Sequence, residues 1–230
     1  MTEIGKENSK QVHSAESGHD ALMDRVYRHQ RYFYDFTRKY YLFGRDRLIR
    51  ELKLKPNARL VEVGCGTARN LIAIARAYPT ARLYGLDASA EMLKTAGKAI
   101  ARAGLSERIR LAHGYAEDLS PRMFGENEPF DEAVFSYSLS MIPDWEGALN
   151  AADAALAPGG RIHIVDFGDL SGLGRIGGDL MRAWLRAFHV VPRAELLHGL
   201  ERSPAGRLTL LPGRYAFLFT RQSSNNITSV

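Results

Sequence analysis

From Arg59 to Phe167 the chain alternates between short apolar runs and amphipathic stretches of helical spacing, and few folds accommodate that rhythm. The apolar runs are RLVEVG (59–64), ARLYGLD (81–87), RIRLAHG (108–114), PFDEAVFSYS (129–138) and RIHIVDF (161–167). Helical spacing occupies 68–79, closed by Pro79; 89–104, with Ser89 suited to an N-cap and Gly104 to a stop; and 144–160, ending in Pro-Gly-Gly. Further helices are expected over 175–188 and 193–202. Two closing strands, RLTLLPG and RYAFLFTRQ, follow around a Pro-Gly turn. Strands separated by helices require a parallel, doubly wound sheet covered on both faces, and the closing pair must be antiparallel to each other.

The first strand ends on VEVGCGTARN (61–70). Gly64 and Gly66 lack a Cβ, so the backbone there can turn sharply and approach a ligand at the carboxyl edge of the sheet. A dinucleotide site needs G-x-G-x-x-G, and Arg69 occupies the third glycine's place. Glu62, two residues before the first glycine, would repel a pyrophosphate and suits a cationic ligand instead. Asp87 ends the second strand, where a carboxylate can accept hydrogen bonds from both ribose hydroxyls. Ala116-Glu117-Asp118 follows the third strand, where an acid can accept from an adenine amino group. The ligand so outlined carries ribose, adenine and positive charge, without a pyrophosphate.

These stretches resemble the class I S-adenosylmethionine-dependent methyltransferases. The matching residues are VEVGCGTA (61–68), YGLDAS (84–89), HGYAEDL (113–119), FDEAVFSYSL (130–139) and LAPGGRIHIVD (156–166). The resemblance implies an α/β, Rossmann-like, doubly wound seven-stranded sheet of order 3-2-1-4-5-7-6, with N-terminal helices as a lid. It implies S-adenosyl-L-methionine as cofactor. The turn residues that hold it would be Glu62, Gly64, Cys65, Gly66 and Thr67; beyond them come Asp87, Ala88, Met92, Ala116, Glu117 and Ser136. Ala68 stands where that family's first motif usually has its third glycine. The place after the fourth strand reads SYSLSMIP (136–143), which disfavours the amide and nucleobase-amine methylases with their Asn/Asp-Pro-Pro-Tyr.

The chain's formal net charge of +5 is matched by one segment: Met23 to Arg50 holds eight Lys/Arg against three Asp. Five tyrosines are interleaved in YRHQRYFYDFTRKYYLFGRDRLI (27–49). This segment, with GCGTARNLI and FHVVPRAELLHGL…GRYAFLF, resembles the bacterial diacylglyceryl-homoserine N-methyltransferases of betaine-lipid synthesis. The resemblance implies a lipid acceptor, diacylglyceryl-homoserine, methylated to its N,N,N-trimethyl form. Tyrosine faces attract methylated ammonium groups, and Tyr27, Tyr34 and Tyr41 fall near one helical stripe, with Tyr40 beside it. Arg38 or Lys39 can pair a head-group carboxylate. Asp35 and Asp166 can take the proton that a methylated amine sheds; the alternative for Asp166 is a cap on the loop DFGDLSG. The alternative for the tyrosines is the core face of a helix.

The expected domain organisation is a polar tail over 1–20, basic aromatic helices over 21–55 for lid and membrane contact, a methyltransferase domain over 56–222, and a tail over 223–230. The cations suit an anionic membrane surface, so the expected location is cytoplasmic, at the inner face of the cytoplasmic membrane. The tail has no apolar signal-peptide core, and no apolar run is long enough to span a bilayer. One cysteine allows no internal disulfide, and seven scattered histidines show no metal spacing, so no metal is expected. Two rival readings stay open. One is methylation of phosphatidylethanolamine or a quinone precursor. The other is nucleic-acid binding on a degenerate fold, suggested by a pI near 9.4. Large apolar groups among the basic residues speak against nucleic acid and for a membrane-surface helix.

Overall fold

A computed structural model describes residues 42–186, 190, 192–202 and 206–223. The chain divides into two units, residues 1–42 and residues 43–230, and the second holds every strand of the sheet. The helices expected before residue 42 lie outside the described residues.

Seven strands form one sheet: β1 (Arg59–Val63), β2 (Arg82–Asp87), β3 (Ile109–His113), β4 (Phe130–Ser136), β5 (Leu156–Phe167), β6 (Gly206–Leu210) and β7 (Ala216–Gln222). Their order is β3-β2-β1-β4-β5-β7-β6, as the resemblance implied. The first five run parallel, and β7 inserts antiparallel between β5 and β6. Helices α1 (Arg45–Glu51), α2 (Arg69–Ala77), α3 (Ala90–Arg102), α4 (Trp145–Ala155), α5 (Gly174–Arg186) and α6 (Ala194–Glu201) complete it.

The central strands read as near-continuous apolar runs because both faces are covered. Leu60, Val61, Val63, Ala133, Val134, Phe135, Ile162 and Val165 are all fully buried. Phe124 packs edge to face on Tyr84 and on Phe130, and Tyr84 meets Phe130 at a tilt. One polar group in this interior is fully served: the Glu132 carboxylate accepts from Arg161 Nε at 3.1 Å and lies 2.8 Å from His163 Nε2. Arg161 also donates to the Leu52 carbonyl at 2.9 Å, tying the end of α1 to the sheet.

The helix expected over 144–160 is shorter than the sequence suggested. It stops at Ala155, and Leu156-Ala157-Pro158-Gly159-Gly160 begins β5, with Leu156 paired to Phe130. Pro158 pushes Ala157 out of the helical region, and Gly159 takes φ 79°, so these residues break the helix and make an irregular strand start. Gly104 ends α3 in the left-handed conformation, and Ser89 Oγ caps it by accepting from Met92 N–H at 3.3 Å.

Candidate functional site

The carboxyl ends of β3, β2, β1 and β4 lie side by side, so the loops that follow them converge on one edge. After β1 the chain turns through three left-handed residues, Gly64 (φ 73°), Gly66 (φ 53°) and Ala68 (φ 61°). Two successive amides of this turn, Gly64 and Cys65, donate to the Leu86 carbonyl at 2.8 and 3.0 Å, pinning the loop to the end of β2. The Gly66 N–H donates to Asp87 Oδ2 at 2.7 Å, and the Ser89 N–H to Asp87 Oδ1 at 2.9 Å. The Asp87 carboxylate is thereby fixed in orientation and half-buried.

Glu62 is buried beneath the turn, its Oε1 accepting from Asn70 Nδ2 in the first turn of α2 at 2.7 Å. The Asn70 Oδ1 is buried without a hydrogen-bond partner. Burial pushes the Cys65 thiol well above its usual pKa, and the charges of Asp87 and Glu62 push it further. The thiol therefore stays protonated, and the same field favours a cation seated over the turn.

Ala116–Asp118 form a single 3-10 turn after β3, with Ala116 buried and Glu117 and Asp118 exposed. Ala88 is exposed, Met92 is buried at the start of α3, and Thr67 is half-buried. Ser136 closes β4 and is buried. The cofactor residues read from the sequence thus share one sheet edge. Tyr27, Tyr34, Asp35, Arg38, Lys39, Tyr40 and Tyr41 lie outside the described residues.

The turn after β4 holds features that sequence patterning did not reveal. Tyr137 is buried at φ 56°, a conformation costly for an aromatic residue. Its N–H donates to the Val165 carbonyl at 2.7 Å, and its hydroxyl to the Phe43 carbonyl at 2.5 Å. Burial lifts its pKa well above the usual range, with Tyr215 and Asp166 adding to the effect and Arg45 opposing it. Among the described residues, the hydroxyls of Ser136 and Ser138 are buried with no hydrogen-bond partner. A Cβ built on Gly64 would lie 2.5 Å from Ser138 Cβ, so the two turns meet backbone to side chain. Arg193 latches the same loop from outside, donating to the carbonyls of Leu139 at 3.2 Å and Ile142 at 2.8 Å. The run Ser-Tyr-Ser-Leu-Ser, polar where a buried strand should simply end, was the available signal.

Asp166 sits at the end of β5, completely buried. It accepts from Ser140 N–H at 3.0 Å and Phe167 N–H at 2.7 Å, and desolvation raises its pKa to about 6. Its carboxylate thus ties the β4 turn to the start of the loop after β5. An aromatic chain runs beside it: Tyr137 to Phe167 (4.7 Å), Phe167 to Tyr215 (5.8 Å) and Tyr215 to Phe43 (5.6 Å).

Sheet order, glycine turn and an acid ending β2 define the class I methyltransferase fold, whose cofactor is S-adenosyl-L-methionine. The site fits that group: a negative field for a sulfonium, a fixed carboxylate for a ribose, and orphaned buried hydroxyls where the β1 and β4 turns meet. Residues 60–160 match the family profile described as a methyltransferase domain. Among curated relatives, a demethylmenaquinone methyltransferase of Bacillus cytotoxicus is 32% identical over 53% of this chain and 50% of that protein. A ubiquinone/menaquinone biosynthesis C-methyltransferase of Syntrophotalea carbinolica is 30% identical over 70% of this chain and 65% of that protein. The chain therefore spans less than two thirds of either relative. Of solved structures, the S-adenosylmethionine-dependent methyltransferase SibL is 25% identical with a TM-score of 0.62, over 83% of this chain and 57% of SibL. One from Aquifex aeolicus, 16% identical with a TM-score of 0.59 over 81% of this chain and 93% of that one, shares the fold. Residues 60–160 thus form a methyltransferase domain on the class I methyltransferase fold. Among the described residues no cluster of metal-ligating side chains occurs, and no helix is long and apolar enough to cross a membrane.

Proposed function

We propose that this chain is an N-methyltransferase that acts on a lipid head group, converting diacylglyceryl-homoserine to its N,N,N-trimethyl form at a membrane surface. The methyl-transfer part rests on one observation: the Asp87 carboxylate held by the Gly66 and Ser89 amides beside a buried Glu62. Asp87 would take the ribose hydroxyls, Glu62 would keep the field negative, and the Ser136 and Ser138 hydroxyls would face the donor–acceptor boundary. The bound cofactor supplies an electrophilic sulfonium methyl.

The protein's task is alignment. The site would hold a neutral amine in line with the methyl and exclude water, so that displacement at the sulfonium, N–C bond formed and S–C bond broken, would need only alignment. After the first two transfers the ammonium proton would pass to water or a nearby carboxylate, and the third leaves a quaternary nitrogen with no proton to lose. No strong base is required, which accords with an Asp166 engaged by two backbone amides. The lipid acceptor is supported by the resemblance of the basic, tyrosine-rich segment that joins the described unit at Phe43. Phe43 itself meets Tyr137 and Tyr215 at the acceptor side of the sheet edge.

A second reading has its own support. Curated relatives are named as quinone methyltransferases, so the acceptor can be a quinone-ring carbon. Purified chain, labelled S-adenosylmethionine and each acceptor in mixed micelles decide between them. Label on diacylglyceryl-homoserine, with mono-, di- and trimethyl products by mass spectrometry, supports the proposal. Label confined to a demethylated quinone or to phosphatidylethanolamine replaces it.

A further inference from the structure

Helix α5 carries an apolar stripe that its own core does not use. Gly178 and Leu185 are the residues it buries. Ile176 and Leu180 are 86% and 73% exposed. At about 100° per residue, Ile176, Leu180 and the exposed Ala183 cluster within roughly 60° of one another, on the side opposite Gly178 and Leu185. Arg175, Arg182 and Arg186 fall together on one flank of that stripe, with Asp179 as the helix's one acid. Asp179 is already paired to Arg182 at 2.8 Å. Leu173, one turn earlier, extends the stripe to the 212–215 turn, where a Cβ on Gly213 would lie 2.6 Å from its side chain. The exposed ring of Phe43 packs on Tyr215 at the same turn.

We infer that the outward face of α5, Leu173-Ile176-Leu180 with Arg175 and Arg186, seats on an anionic lipid bilayer and sets the acceptor side of the sheet edge against it. Apolar residues facing solvent with arginines along one flank are the pattern of a helix lying in a membrane interface. Charge complementarity selects an anionic surface: Arg175 and Arg186 are exposed beside the stripe, and Asp179, the helix's one acid, is neutralised by Arg182. The position of the helix accords with a lipid acceptor. It follows β5 directly, and Arg182 donates to the Asp169 carbonyl at 3.3 Å, three residues from Asp166. The inference rests on the proposed action at a lipid surface, but its test needs neither donor nor acceptor.

Full-length chain is sedimented with phosphatidylglycerol vesicles and with phosphatidylcholine vesicles, both free of any methyl acceptor. Wild type is expected to bind the anionic vesicles preferentially. Ile176→Ser with Leu180→Ser should weaken that binding about tenfold or more, and Arg175→Gln with Arg186→Gln should reduce the preference for anionic lipid by a similar factor. Ile176 and Leu180 are exposed, so melting temperature and S-adenosylmethionine affinity should match wild type in the serine variant, which excludes misfolding. Equal vesicle binding by wild type and serine variant overturns the inference. So does a wild-type dimer in sedimentation velocity that the serine substitutions dissociate, since the stripe then belongs to a second copy.

Discussion

The Tyr137 hydroxyl donates to the Phe43 carbonyl at 2.5 Å, joining the turn after β4 to the residue just before α1. The two residues are 94 positions apart, and the contact ties the end of β4 to the segment that leads into α1. Tyr137→Phe removes this bond and leaves a carbonyl to find water. The expected cost is about 1 kcal/mol, seen as a melting temperature lower by roughly 2–4 °C for a chain of this size. Affinity for S-adenosylmethionine should stay within about twofold, because the lost hydroxyl bonds the Phe43 carbonyl and none of the residues proposed to hold the donor, while kcat/KM for the proposed acceptor falls. An acceptor kcat/KM equal to wild type would show that this contact is purely structural.

Asp87 holds the turn after β1 through the Gly66 amide, and in the proposed function the same carboxylate takes the ribose hydroxyls. Asp87→Asn keeps one acceptor oxygen but turns an NH2 toward an amide or a ribose hydroxyl. Calorimetry should find S-adenosylmethionine binding roughly tenfold to a hundredfold weaker, the loss expected for hydrogen bonds to a charged group. Undiminished binding would place the nucleoside elsewhere on the fold.

That the turns after β1 and β2 lie together was legible because they are marked locally in the sequence. A strand, a glycine turn and an acid at the next strand's end are read in order, and the fold brings them together by the shortest path across β1 and β2. The β4 turn was not legible in the same way. Nothing in Ser136-Tyr137-Ser138 announces that a tyrosine will take φ 56°, since tertiary packing against Phe167 and Phe43 imposes it. The end of α4 was misread for a related reason. Leu156-Ala157 continues the helical spacing, but pairing of Leu156 with Phe130 at the sheet centre outweighs one more helical turn before Pro158. The apolar stripe on α5 was not singled out in the sequence, because spacing shows that a helix has such a face and not whether anything covers it.

Gly64 and Ala68 both occupy left-handed positions in the donor turn, with opposite tolerance of a Cβ. Gly64→Ala adds left-handed strain and drives the new methyl into Ser138, so a loss of about 2–4 kcal/mol is expected, with weaker donor binding. Ala68→Gly relieves about 1–2 kcal/mol of left-handed strain but gives up a buried methyl and adds freedom to the unfolded chain. These nearly cancel, and urea unfolding should place Ala68→Gly within about 1 kcal/mol of wild type. A strongly destabilised Ala68→Gly would mean that the Ala68 methyl packs more tightly than its burial indicates.

Asp166 and Asp169, three residues apart, titrate in opposite senses. Desolvation raises the Asp166 pKa to about 6, above the unfolded value of about 3.9, so the folded state holds its proton more tightly. Its contribution to stability is complete below about pH 4 and is lost as pH rises through 6, an effect of up to about 3 kcal/mol. Asp169 is the reverse: hydrogen bonds from Arg214, 2.9 Å from Nε to each carboxylate oxygen, hold its carboxyl well below the usual range. Its contribution is present above about pH 4 and disappears only in stronger acid. The two windows separate. Asp166→Asn should be less stable than wild type at pH 4.5, because its NH2 cannot serve both the Ser140 and Phe167 amides. The deficit should shrink by about 2–3 kcal/mol at pH 7.5, where wild type carries the cost of a buried charge. Urea unfolding of both proteins at the two pH values measures this, and a deficit that stays constant would mean that Asp166 is ionised throughout.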